Sequence, residues 1–154
     1  NDLGRRIDQA VSECWAIACQ GDALEIALGE LDPRTVHAEL RQVEADRART
    51  SDPATVQALD RTAAALGAQL ASAERLAAVA RDAGNRLRVL NAQLDEAVAR
   101  AVELTLRTTD AGALSPLTED VDSLVAEMES LRQALEETQA VSPGTPGTTA
   151  AGTA

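Results

Sequence analysis

The sequence predicts an all-α fold: an antiparallel coiled-coil hairpin standing on a three-helix base, followed by a disordered C-terminal tail. Three features point there. First, the apolar residues are mostly Ala and Leu, with 32 Ala among 154 residues, one Trp and no Phe or Tyr. Ala and Leu favour helix, whereas strands draw on β-branched and aromatic side chains. Second, apolar residues recur at alternating spacings of three and four, which keeps one stripe on one face of a helix. Third, Pro is confined to a few positions, so the periodic runs between them are long.

The first run carries Leu3, Ile7, Ala10, Cys14, Ile17, Gly21, Leu24, Leu28 and Leu31, and predicts a helix over residues 2–31. Asp32-Pro33, Asp52-Pro53 and Ser115-Pro116 each read as a helix start. In each pair an oxygen-bearing side chain can cap free N–H groups, and Pro at the first helical position loses no hydrogen bond. Val36, Leu40 and Val43 then mark a helix over 33–49, which Thr50-Ser51 ends. From Pro53 to Arg107 no Pro occurs, so a single helix of 55 residues is expected, about 80 Å long. Between Leu70 and Leu76 two steps of three follow each other, which shifts the contacting face near Ala73. The last stripe, Leu117, Val121, Leu124, Met128, Leu131, Leu135 and Thr138, repeats as the a and d positions of a heptad over residues 116–140. Acids at Glu119, Asp120 and Asp122 suit the positive end of that helix.

Helices 2–31 and 33–49 together nearly match the length of 53–107, so the chain is expected to fold back on itself. Residues 1–141 then form one elongated domain, with an arm of 33–80 and a base of 2–31, 81–107 and 117–140. The alternative packs the first helix back on the second. Residues 142–154 contain no large apolar side chain and are expected to be disordered.

The net charge is −11, from 14 Arg, no Lys and 25 acids, which disfavours nucleic acid as a partner. Charge is uneven: −5 over residues 1–32, +1 over 33–107 and −7 over 108–154. No stretch has the roughly 18 apolar residues of a membrane span. The chain begins at Asn1 without an initiator Met and reads as a processed piece, cytoplasmic as it stands.

Little in the chain points to chemistry. Cys14 and Cys19 lie five apart, about 140° around a helix, so they should not bridge; they read as small buried hydrophobes. His37 is the single histidine, so no two-His metal site can form within the chain, and it reads as a surface residue. No cofactor or metal is expected. Trp15, one residue off its stripe, reads as a plug at a three-helix junction. Arg75, Arg81, Arg86 and Arg88 crowd the middle of the long helix. Of these, Arg75, Arg81 and Arg88 are candidates for an acidic partner or lipid headgroup. Leu124, Met128 and Leu131 are candidates for helix pairing, because the perfect heptad is better than one neighbouring helix requires. Dimerisation through that last helix or through the arm is expected.

Two resemblances bear on function. Leu3-Gly4-Arg5-Arg6-Ile7-Asp8 loosely resembles the opening of bacterial chorismate mutases, which implies a small helical enzyme. That family binds its dicarboxylate with Arg and Lys, and this chain has no Lys. Stretches such as Asp52-Pro53-Ala54-Thr55-Val56-Gln57-Ala58-Leu59, with the abundance of Ala and Arg, look like high-GC actinobacterial proteins. Residues 32–107 specifically resemble the coiled-coil hairpin of actinobacterial membrane-associated proteins, including partners of the phage-shock envelope-stress system. The resemblance implies a non-enzymatic scaffold or adaptor that binds another protein, with a membrane anchor preceding Asn1.

Overall fold

The computed structural model describes residues 2–107 and 111–141. It contains α1 (Asp2–Leu31), α2 (Pro33–Arg49), α3 (Pro53–Arg107) and α4 (Ser115–Val141), with a single 3-10 turn at Ala111–Leu114 leading into α4. The described residues are all-α. The expectation of a disordered tail over 142–154 lies outside them.

Apolar stripes dictate the packing. Leu3, Ala10, Ile17 and Leu24 recur at every seventh residue of α1 and are all buried. They meet Ala83, Leu90, Leu94 and Ala97 of α3 and the heptad of α4 in one core. Ala10 lies where the three helices meet, has no exposed surface, and its lack of bulk lets the backbones approach. α1 also contacts α2 only weakly, near their junction. Packing the first helix back on the second is therefore ruled out. α2 continues past the end of α1 and pairs with the N-terminal half of α3, forming a two-helix arm.

The junction is built differently from its expected form. Asp32 adopts a left-handed conformation (φ 36°, ψ 75°), and its side chain caps no helix N–H. Its carboxylate instead accepts a hydrogen bond from the Thr35 hydroxyl at 2.5 Å. The backbone carries the connection: Asp32 N–H donates to the Gly29 carbonyl at 3.3 Å, and Val36 N–H to the Asp32 carbonyl at 3.2 Å. Asp tolerates this region better than most residues, and its place in the turn allows one helix direction to end and another to begin.

At the arm's tip the expected cap is present. Asp52 Oδ2 accepts from the Thr55 N–H at 2.9 Å and from the Thr55 hydroxyl at 2.6 Å. Nearby, Arg47 of α2 forms an ion pair with Asp60 of α3.

These bonds set an acid dependence. The Thr55 hydroxyl and N–H hold the Asp52 carboxyl below its ordinary 3.8, and Arg47 does the same for Asp60. A lowered folded-state value means ionisation favours the folded arm. The contribution is complete above the ordinary value and is lost as pH falls through the folded-state value. Amide exchange at Thr55 and Val56, corrected for intrinsic rates, is therefore expected to accelerate below about pH 4. Asp52→Asn keeps a capping oxygen that does not titrate and should flatten that acceleration; an unchanged acid profile in the variant would count against the cap.

Candidate functional site

The residues expected to pair with a partner helix do not lie together at the surface. Leu124, Met128 and Leu131 are buried within the chain, Met128 completely. The heptad of α4 is taken up by two intramolecular neighbours, α1 and α3, instead of one. Burial of Val125, which lies off the a and d stripe, has the same cause: a helix facing two others needs a wider apolar face. Polar contacts fix the outer edge of the α1–α4 seam. Arg6 pairs with Asp122, Gln9 Nε2 donates to Glu129 at 3.2 Å, and Arg132 donates to Glu13 at 2.9 Å and to Glu136 at 2.6 Å. The two carboxylates hold the Arg132 guanidinium above its ordinary range.

The three candidate arginines are exposed on α3 and do not converge. Arg75 donates to Ser72 Oγ at 2.8 Å. It lines a groove of about 840 Å³ with Leu31, Leu76, Val79 and Thr138, where α1 ends and α4 runs out along α3. Arg88 lies 13 residues further along, roughly 20 Å away, and touches Asn85 Oδ1 at 3.4 Å. Arg81 has no hydrogen-bond or ion-pair partner among the described residues. Arg86 pairs with Asp82 at 3.0 Å, as expected for a solvated helix face.

Trp15 overturns its expected role. It is 73% exposed, not a core plug, because one position off the stripe carries it about 100° around α1 from Cys14. It lies in an open groove of about 550 Å³ between α1 and α3, lined by Val11, Cys14, Ala18, Leu87, Arg88, Asn91, Ala92 and Asp95. Ile26 of α1 and Val102 and Leu106 of α3 are exposed as well. The only signal for this face in the sequence was a second, weaker apolar series in α1, Val11, Trp15 and Ile26.

The cysteines are free, Cys14 half-buried and Cys19 exposed, so only Cys14 approaches the buried hydrophobe that was expected. Cys14 Sγ contacts Met128 Sδ at 3.7 Å. Burial, with the Asp95 charge adding, pushes its thiol up, away from the reactive thiolate. His37 is exposed on α2. Among the described residues no group of three His, Cys, Asp or Glu side chains could hold a metal ion. No helix among them is long and apolar enough to cross a membrane. No family model, curated protein or solved structure matches the chain.

Proposed function

We propose that the protein is a non-enzymatic interaction module, a scaffold or adaptor whose two-helix arm presents a helical surface to another protein. The observation that carries this reading is the arm itself. α2 and the stretch of α3 before Ala68 extend beyond the groove where α1 ends and α4 runs out, and each keeps its outer face exposed. Pairing the 17 residues of α2 with the facing part of α3 buries little beyond Val36, Leu70 and Ala73. It does supply long, mixed-charge faces of the kind that dock against partner helices. In the same reading the module is cytoplasmic.

Arg41 and Arg61 are exposed on the two helices of the arm. The tagged chain is to be used to recover partners from its source cell, in parallel with Arg41→Glu/Arg61→Glu. Surface charge reversal leaves the helices folded, which circular dichroism verifies, and is expected to weaken capture of the specific partner by about tenfold. Partners retained equally by both proteins would remove the arm from the reading.

A further inference from the structure

The groove at Trp15 is a different surface from the arm, and its features specify an occupant. It is formed by α1 and α3 alone, on the side of the base away from α4. Its apolar residues are flanked by charges of both signs. Arg88 and Asp95 lie seven residues apart on one face of α3, about 10 Å along its axis, with Asn91 between them. Neither makes an ion pair among the described residues. One surface that offers an unpaired cation and an unpaired anion equally spaced about a centre is complementary to itself.

From this arrangement we infer that the face is an isologous interface between two copies of this chain, related by a two-fold axis that crosses the bundle at Trp15 and Asn91. Such an axis reverses the helix direction. α1 lies against the partner's α1 and α3 against the partner's α3. Each Arg88 then stands opposite the second copy's Asp95, and the two Trp15 rings meet at the axis. Asp8 and Asp22 of α1 would also come into opposition. They sit about 10 Å from the axis, twice the distance of Arg88 and Asp95, where crossing helices have already diverged.

Net charge of −11 per chain opposes association, and α1, with two Arg against six acids, adds to that repulsion, which the paired Arg88 and Asp95 offset at the axis. The strongly acidic α4 lies on the far side of each base, beyond the screening length of about 8 Å at physiological salt. A contact spanning two helices over this length covers on the order of 600 Å² per copy, at the low end of specific interfaces, so the dimer is a reversible one. Because the two copies run in opposite directions, their arms project from opposite ends. The inference does not depend on what the arms bind.

Sedimentation of the full chain over a concentration series tests it, with the emission of Trp15, the single aromatic residue, as a local probe. Mass is expected to rise from 16.1 kDa towards twice that value, and the emission to shift to the blue in step. Arg88→Asp and Asp95→Arg should each weaken self-association at least about tenfold while circular dichroism stays unchanged. Mixed together, these two variants should form a heterodimer, because all four charges at the axis then face opposite charges. A monomer at all concentrations up to about 1 mM would overturn the inference. So would a dimer that forms without a change in Trp15 emission, or single variants that do not rescue each other.

Discussion

Met128→Ala is expected to lower the free energy of unfolding by about 2–5 kcal/mol, among the largest effects available to a single truncation in this protein. Met128 has no exposed surface and fills the space between α1, α3 and α4, with Cys14 against its sulfur. Truncation removes buried apolar surface and leaves a cavity that three packed helices cannot readily close. Arg81→Ala, at an exposed position of α3 with no hydrogen-bond or ion-pair partner among the described residues, is expected to change stability by less than about 0.5 kcal/mol. Urea denaturation followed by circular dichroism separates the two. A Met128 variant as stable as the parent would mean that α4 is not docked as described.

Stability should also be unequal along the molecule. The base buries residues from three helices in one continuous core, whereas the arm buries only Val36, Leu70 and Ala73 outside it. At about 25 cal/mol per Å² of apolar surface, a two-helix seam rich in Ala contributes far less than the base. Native-state hydrogen exchange is therefore expected to show α2 and the facing part of α3 opening as one unit, several kcal/mol below global unfolding. Leu70→Ala should lower that local opening by about 2–3 kcal/mol and leave the protection of Leu90 and Leu131 unchanged. Equal protection in arm and base, or loss of both on Leu70→Ala, would show a single cooperative unit instead.

The sequence by itself determined that the chain is helical, where its helices begin and which faces they bury. Ala and Leu at spacings of three and four leave no other regular structure, and Pro33 and Pro53 stand at the first residues of α2 and α3. Matched lengths also made the hairpin legible, since a chain of 55 helical residues can bury its stripe only against comparable length. The candidate site was much less legible. A stripe tells how much apolar surface must be covered, but not by how many helices. Leu124, Met128 and Leu131 looked available to a partner until the structure placed both α1 and α3 against them. Trp15 shows the reverse case: its size argued for the core, and a rotation of one position on α1 put it in solvent. Asp32 looked like a cap, yet with a left-handed backbone its carboxylate takes the Thr35 hydroxyl and caps no helix N–H. Periodicity fixes angles within one helix, and these three outcomes depend on angles and distances between helices, which tertiary packing alone decides.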